Sequence, residues 1–211
     1  MNLPSSVTTV LFDMDGVLID SSAAVHDAYS GWAIDNGFDP EEVLGIVHGR
    51  RTIEVVRQFG FDDDPEGEAD RLERSIAERA TIENAIRPTC DLYRSLDPER
   101  VAVATSARKE TALSNLRVLG LDHPKVLING QDVESGKPAP DPYLMAAKRI
   151  EAHPATCVVI EDAPAGIEAG KAAGCHVVAL TTTHRAGDLD AADLTIAPEQ
   201  LHEVRAPLLL S

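Results

Sequence analysis

The chain has 211 residues, of which 44% are hydrophobic and 26% are charged, and its formal net charge is −16. This composition excludes a disordered chain, and the acidity together with the lack of a Lys/Arg cluster excludes a nucleic-acid-binding domain. The length allows one domain of ordinary size with a small insertion.

The first predicted element is a buried strand in the apolar run VTTVLFDMD, residues 7–15. The stretch that follows, residues 20–86, contains no convincing strand. Its apolar residues, among them Tyr29 and Trp32, recur at helical spacing, and Gly37 ends the first helical pattern. We therefore predict a small all-helical cap at residues 20–86, inserted between the first and second strands.

From residue 101 onward, short runs of Val, Ile and Leu alternate with helical patterns. Five further strands are predicted, in VAVATSA, KVLING, TCVVIEDA, HVVALTTT and DLTIA. This alternation predicts an α/β fold, with a doubly wound, mainly parallel sheet built from residues 1–19 and 87–211. In such folds the ligand site lies at the carboxyl ends of the strands.

Two acids, Asp13 and Asp15, come directly after the first strand, and Gly16 allows a sharp turn behind them. One carboxylate of such a pair can serve as nucleophile and metal ligand while the other donates a proton. An Asx turn that ends a strand has the same residues, so the pair alone does not decide the function.

Two segments have the character of phosphate-binding sites. Thr105 and Ser106 end the second strand, where hydroxyl and free backbone N–H groups suit a phosphate oxygen, although a helix N-cap looks the same. Lys137 lies among prolines that fix the backbone, so its ammonium can neutralise a phosphate together with a carboxylate. A solvated surface lysine is the alternative interpretation.

Glu161 and Asp162 end another predicted strand just before a helix. Adjacent acids at a sheet edge repel each other, and a hard divalent cation with oxygen ligands relieves that repulsion, which favours Mg²⁺. Acids that offset the helix macrodipole are the alternative.

In their order along the chain, these segments resemble the four motifs of the haloacid-dehalogenase-like hydrolases: DMDGVLIDS, ATS, GKPAPDPY and EDAPAGIEAGKAAG. The resemblance extends nearly end to end, with a Rossmann-like core and a cap similar to that of the β-phosphoglucomutase-like branch. Within that branch the chain resembles glycerol-3-phosphatases and 2-deoxyglucose-6-phosphate phosphatases, through the stretches HGRRT, VAVATSARKE and GKPAPDPYL.

The resemblance implies a Mg²⁺-dependent phosphatase that hydrolyses small sugar or polyol phosphate monoesters. Asp13 is then the nucleophile that forms an aspartyl-phosphate, and Asp15 is the acid and base. The residues implied to hold and neutralise the phosphate are Thr105, Ser106 and Lys137. The residues implied at the metal are Asp13, Asp15 and Asp162, with Glu161 close by.

Three arginines are candidate substrate ligands. Arg50 and Arg51 lie where the cap helices break, beside His48, and Arg108 follows the second motif. Each could make a bidentate contact with a substrate group, and each could equally be a surface arginine.

Alternative functions remain open at this point. A sugar phosphomutase needs the same Asp13 and Asp15, and a non-catalytic binding module is a second alternative. Phosphonate hydrolases of this fold need a cap lysine, and no lysine precedes Lys109. We find no signal peptide and no apolar run that could span a bilayer. We expect a monomeric cytoplasmic protein whose partner is a small phosphorylated substrate, with no nucleic-acid or membrane partner.

Overall fold

The structure is a computed structural model, and it describes residues 3–47, 49–61, 63–121 and 124–204. Its centre is a six-stranded sheet in which every neighbouring pair of strands is parallel, in the order β3-β2-β1-β4-β5-β6. The strands are β1 Thr9–Phe12, β2 Val101–Ala104, β3 Val126–Ile128, β4 Cys157–Glu161, β5 His176–Leu180 and β6 Leu194–Ile196. The predicted α/β fold with a parallel sheet is confirmed.

Eight α-helices accompany the sheet in the described ranges. They are α1 Ser22–Asn36, α2 Pro40–Leu44, α3 Thr52–Gln58, α4 Pro65–Ala77, α5 Arg87–Ser95, α6 Lys109–Val118, α7 Asp141–Arg149 and α8 Pro164–Ala172. The helix α5 was not predicted, because its nine residues carry few apolar side chains.

Alternate residues of the strands build two hydrophobic clusters, one on each face of the sheet. On one face, Val10 and Phe12 pack with residues of α5 and α6, including Tyr93 and Leu116. On the other face, Leu11 belongs to a cluster with residues of α7 and α8. The two faces of a strand alternate with a period of two, so both layers of helices follow from the buried apolar runs.

The four helices α1–α4 enclose a third hydrophobic cluster, which is separate from the two clusters of the sheet. Trp32 is at its centre, with its ring 5.5 Å from that of Phe38, 5.9 Å from that of Phe59 and 5.3 Å from that of Phe61. The indole N–H donates to Glu68 Oε1 at 2.7 Å. This helical unit therefore has a core of its own.

The chain leaves the sheet for this helical unit and returns from it through two adjacent connections. The backbone N–H of Asp20 donates to the carbonyl of Asn84 at 2.8 Å, and that of Ile86 donates to Leu18 at 3.0 Å. Ile19 and Ala85 form an antiparallel bridge between them. The paired connections place α1–α4 over the carboxyl edge of the sheet.

None of the helices in the described part of the chain combines the length and the apolar character that crossing a membrane requires.

Candidate active site

The candidate active site lies at the carboxyl edge of the two central strands. Asp13 follows β1 directly, while Glu161 is the last residue of β4 and Asp162 follows it. Because β1 and β4 are parallel neighbours, with Phe12 paired to Ile160, the three acids lie side by side. All three are buried.

Lys137 brings a positive charge into this buried group. Its side chain is 1% exposed, and its Nζ lies 2.7 Å from Asp13 Oδ1 and 2.7 Å from Glu161 Oε1. Burial lowers the pKa of Lys137, but the two carboxylates outweigh that effect and hold the pKa above its usual value. The lysine therefore stays charged and joins the ends of the two strands.

Glu161 has hydrogen-bond donors at both of its carboxylate oxygens. Besides Lys137, the Tyr143 hydroxyl donates to Oε1 at 2.9 Å, and the backbone N–H groups of Asp162 and Ala163 donate to Oε2 at 2.8 and 3.0 Å. Burial raises its pKa, but Lys137 and the backbone donors outweigh burial, so the pKa is lowered. This carboxylate is positioned to orient the lysine.

A glycine makes room for that carboxylate. Gly166 lies in the first turn of α8, and a Cβ atom there would be 1.6 Å from Glu161 Oε1. Any side chain at this position would therefore displace Glu161 and, with it, the ammonium of Lys137.

Asp13, Glu161 and Asp162 form a cluster that could hold a metal ion, with carboxylate oxygens within 4.8 Å of one another. Burial raises the pKa of Asp13 to about 7, despite Lys137, and burial and neighbouring carboxylates raise the pKa of Asp162 well above its ordinary value. One lysine thus leaves a surplus of negative charge. Buried oxygen ligands with such a surplus fit Mg²⁺.

Asp15 is held in place by a hydroxyl from the start of the helical unit. Ser21 Oγ donates to Asp15 Oδ1 at 2.7 Å. Burial raises the pKa of Asp15, which favours the protonated form that a general acid requires. Behind it the chain turns at Gly16, where φ is +73° and a Cβ would lie 2.0 Å from Asp162 Oδ2.

The second motif lies at the end of β2. Thr105 is buried, and its Oγ1 accepts the backbone N–H of Ala107 at 3.1 Å. Ser106 Oγ donates to the carbonyl of Gly49 in the helical unit, at 2.9 Å. Ser106 and Ala107 line the same cavity as Asp13, so the turn presents its backbone to the acids.

Two threonines after β5 complete this edge, and the sequence analysis did not identify them. Thr182 Oγ1 donates to the carbonyl of Gly16 at 2.5 Å, and Thr183 Oγ1 donates to the Asp162 carboxylate. They follow a buried strand, so the strand-end argument that identified the acids applies to them too.

Between this edge and α1–α4 lies a cavity of about 760 Å³, counted out to its open mouth. The helical unit contributes both apolar and polar side chains to its wall. They include Val25, Tyr29, Val47, Arg50, Thr52, Glu73 and Ile76.

The three candidate arginines lie in different places. Arg50 lines the cavity, and its Nη1 donates to Gln58 Oε1 at 2.9 Å. Arg108 pairs with Glu66 at 2.8 Å and is not among the described residues that line the cavity. His48 lies outside the described residues.

Arg51 connects the helical unit to the sheet layer instead of lining the cavity among the described residues. Its guanidinium donates to the carbonyls of Gly130, Val133 and Glu134, at 3.3, 3.0 and 2.9 Å. Its Nε donates to Glu54 at 2.8 Å. The donors of this side chain are thus committed to protein acceptors.

Sequence comparisons relate the chain to hydrolases. It matches the family model described as haloacid dehalogenase-like hydrolase over residues 10–180. It is 37% identical over 203 residues to hexitol phosphatase A from Escherichia coli, covering 93% of this chain and 94% of that protein. It is 36% identical over 201 residues to glycerol-1-phosphate phosphohydrolase 2 from Saccharomyces cerevisiae, covering 89% of this chain and 79% of that protein.

The fold is also found in solved structures. A β-phosphoglucomutase from Clostridium difficile superposes with a TM-score of 0.79 at 21% identity, covering 92% of this chain and 93% of that one. At that identity, the similarity demonstrates a shared fold. A hydrolase from Pseudomonas syringae has a TM-score of 0.77 at 27% identity, covering 93% of this chain and 96% of that one.

Proposed function

The chain belongs to the haloacid-dehalogenase-like hydrolase family, and on this premise we propose that it is a Mg²⁺-dependent phosphatase of small sugar or polyol phosphate monoesters. The observation that carries the proposal is the contact of Asp13 with Lys137 beside Asp162, at the bottom of a cavity that Asp15 also lines. Phosphoryl transfer needs a positioned nucleophile and neutralisation of phosphate charge, and these residues offer both.

In the proposed first step, a carboxylate oxygen of Asp13 attacks the phosphorus atom of the substrate. The bond from phosphorus to the substrate oxygen breaks, and that oxygen takes the proton of Asp15. The products are the free alcohol and an aspartyl-phosphate at Asp13. Burial raises the pKa of Asp15, and this direction supports its role as the acid.

In the second step, the Asp15 carboxylate takes a proton from water, and the water oxygen attacks the phosphorus atom. The bond between phosphorus and Asp13 breaks, inorganic phosphate leaves, and both aspartates return to their first state. Lys137 offsets charge on Asp13 and on the phosphoryl group throughout, and Glu161 holds the lysine in place. Thr105 and the backbone at Ser106 hold phosphate oxygens.

Mg²⁺ is assigned to Asp13, Asp162 and the backbone carbonyl of Asp15, where it would supply positive charge for the phosphate oxygens. Glu161 lies within the same cluster, but its oxygens already accept hydrogen bonds from Lys137, Tyr143 and two backbone groups. We therefore assign Glu161 to the lysine.

We assign residues 20–86 to the cap and residues 1–19 and 87–211 to the core. The separate hydrophobic cluster of α1–α4 and the paired connections at Ile19 and Ala85 support this division. A cap over the site would exclude water until the first step is complete. The cytoplasmic location and the monomeric state stay predictions from the sequence.

The test is a measurement of phosphate release from glycerol phosphate, hexose phosphates, nucleoside monophosphates and a phosphopeptide. We expect turnover with Mg²⁺, little with Ca²⁺, and none with EDTA, with the polyol and sugar phosphates as the best substrates. Full activity in the chelator would refute the metal assignment. A nucleotide or the phosphopeptide as best substrate would refute the substrate class.

A further inference from the structure

Glu73 is a buried acid that the proposed chemistry does not use. It lies on α4 in the buried stripe of Ala69, Leu72 and Ile76, a position where an apolar residue is expected. Its exposed fraction is 5%, and it lines the same cavity as Asp13. A carboxylate in such a place needs a physical explanation.

The partners of this carboxylate are neutral hydrogen-bond donors. The backbone N–H of Arg108, at the start of α6, donates to Glu73 Oε2 at 2.7 Å. The hydroxyl groups of Thr52 and Thr111 also donate to it. Within the described ranges, no lysine, arginine or histidine nitrogen lies within ion-pair distance of Glu73.

Because Glu73 has no ion-pair partner among the described residues, no cation at ion-pair distance offsets the effect of burial on its pKa. Burial raises the pKa of Glu73 to about 7, although the hydrogen bonds and the more distant charge of Arg108 lower it. The carboxylate is therefore mostly ionised at a pH of about 8. At that pH it places a negative charge in the wall of the cavity.

Tyr29 is a cavity-lining residue whose hydroxyl is influenced by the charges of both Glu73 and Asp15. Burial raises the pKa of the Tyr29 hydroxyl, and the charges of both Glu73 and Asp15 raise it further. Tyr29, Asp15 and Glu73 thus line one cavity, Asp15 from the sheet edge and Glu73 from the helical unit. Because Asp13 and Glu73 line the same cavity, a substrate with its phosphate at Asp13 would have this wall within the space it occupies.

We infer that Glu73 selects substrates by the group farthest from the phosphate, accepting hydroxyl groups and excluding a second anion. A carboxylate is a strong acceptor for hydroxyl donors. It also raises the free energy of any phosphate or carboxylate brought close to it in a poorly solvated cavity. This inference rests on the proposed phosphatase function and names its substrates as phosphate monoesters with an uncharged, hydroxylated distal end.

The proposed role of Glu73 favours phosphatase activity over phosphomutase activity. Moving a phosphoryl group between two hydroxyls of one sugar passes through a bisphosphate, whose second phosphate must be held against the cap. Arg50 is the cation among the described lining residues, and it donates to Gln58. Glu73 opposes such binding from the same wall.

The experiment compares two substrates of nearly equal size, sn-glycerol 3-phosphate and 3-phosphoglycerate, which differ by a distal hydroxymethyl or carboxylate group. The variants are Glu73→Gln, which removes the charge, and Glu73→Asp, which keeps the charge on a shorter side chain. Glu78→Gln, at an exposed position near the end of α4, is the matched control. Circular dichroism and thermal unfolding verify the fold of each variant.

At a pH of about 8 we expect the parent to favour glycerol phosphate in kcat/KM by about 100-fold or more. Glu73→Gln should narrow this ratio at least about tenfold by improving the reaction of phosphoglycerate. Glu73→Asp should keep the exclusion of phosphoglycerate, and Glu78→Gln should match the parent. Equal kcat/KM values of the parent for the two substrates would overturn the inference, as would equal shifts in the Gln and Asp variants.

A binding measurement keeps this result separate from the proposed function. Titration calorimetry with both ligands and Mg²⁺, on Asp13→Asn with and without Glu73→Gln, requires no turnover. A parent that releases no phosphate from any monoester refutes the phosphatase, whereas an unchanged ratio of the two affinities refutes the role of Glu73.

Discussion

The sheet edge and the cap wall both bury carboxylates, but among the described residues a cation pairs with the carboxylates only at the edge. At the edge, Asp13 and Glu161 share Lys137 at 2.7 Å. At the wall, Glu73 has hydrogen bonds from neutral groups and a pKa raised to about 7. Charge is thus compensated at the edge, where we propose that phosphate is processed, and left uncompensated at the wall, where we infer that the rest of the substrate is recognised.

Because the two sets of residues are separate, substitutions at the wall can change substrate preference while the ion pairs at the sheet edge stay intact. The edge residues are joined by ion pairs and hydrogen bonds, so replacing one of them removes an interaction from several of the others. Glu73 accepts one hydrogen bond from Thr52 of α3 and two from Arg108 and Thr111 at the start of α6, and it pairs with no cation in the described part of the chain, so its replacement affects mainly the wall.

Asp13→Asn should reduce turnover by at least about 10⁴-fold, because an amide cannot form the acyl-phosphate bond. It should also prevent phosphorylation of the protein at this carboxylate, where the acyl-phosphate survives an acid quench and is cleaved by hydroxylamine. Phosphate release and intact-mass spectrometry of acid-quenched samples measure the two effects. The control is Asp188→Asn, at an exposed position of the core. More than trace activity in Asp13→Asn would show that the covalent mechanism is wrong.

Lys137→Met should lower kcat by about 10²–10³-fold, because it removes the charge that neutralises Asp13 and the phosphate. It should also lower the free energy of unfolding by about 3–5 kcal/mol, since two buried carboxylates lose their partner. Kinetics and urea denaturation measure both quantities. Lys148→Met, an exposed change on α7, should alter neither. An unchanged urea midpoint for Lys137→Met would contradict the compensation described for the edge.

Glu73→Gln should stabilise the protein at high pH. The folded-state pKa of Glu73, about 7, is above its ordinary value of 4.5. The stability contributed by the protonated form is therefore complete below a pH of about 4.5 and lost as the pH rises to about 7. Relative to the parent, the variant should gain about 1–3 kcal/mol at a pH of about 8 and almost nothing at a pH of about 4.

Urea denaturation of the parent, Glu73→Gln and Glu78→Gln at both pH values measures this gain. The same gain in unfolding free energy at both pH values would show that burial does not destabilise the ionised Glu73 carboxylate. The charge at the wall would then not differ from the charges at the edge in the way described.

Arg51→Met should have the smallest effect, raising KM several-fold with less change in kcat. The arginine joins the cap to the carbonyls of Gly130, Val133 and Glu134, and half-exposed hydrogen bonds of this kind contribute about 1 kcal/mol. Steady-state kinetics with glycerol phosphate measure it. Arg57→Met, at an exposed position of α3, serves as control. An altered substrate preference without a change in KM would instead indicate that Arg51 contacts substrate.

The sequence predicted the six strands and the helical insertion because buried parallel strands are nearly continuous apolar runs. The same rule brought Asp13, Glu161 and Asp162 to one edge, since each follows or ends such a strand. Thr183 follows β5 at that edge and could have been found by the same argument.

The cap wall was harder to predict. Which side of α4 faces the sheet depends on how four helices pack around Trp32, and that packing involves contacts far apart in the sequence. The available signal was an acid, Glu73, within the apolar stripe of Ala69, Leu72 and Ile76. Likewise, nothing local distinguishes Arg51, whose acceptors lie about 80 residues away, from Arg50.

Because the connections at Ile19 and Ala85 are paired, the helical insertion can be replaced as a unit. The two ends of the segment lie side by side and are joined by backbone hydrogen bonds from Asp20 and Ile86. A different segment could be spliced in between these points without altering the order of the strands, because its ends would already be neighbours. The geometry therefore permits a recombination with two crossovers, both at the paired connections, to replace the helical insertion while the residues at the sheet edge stay unchanged.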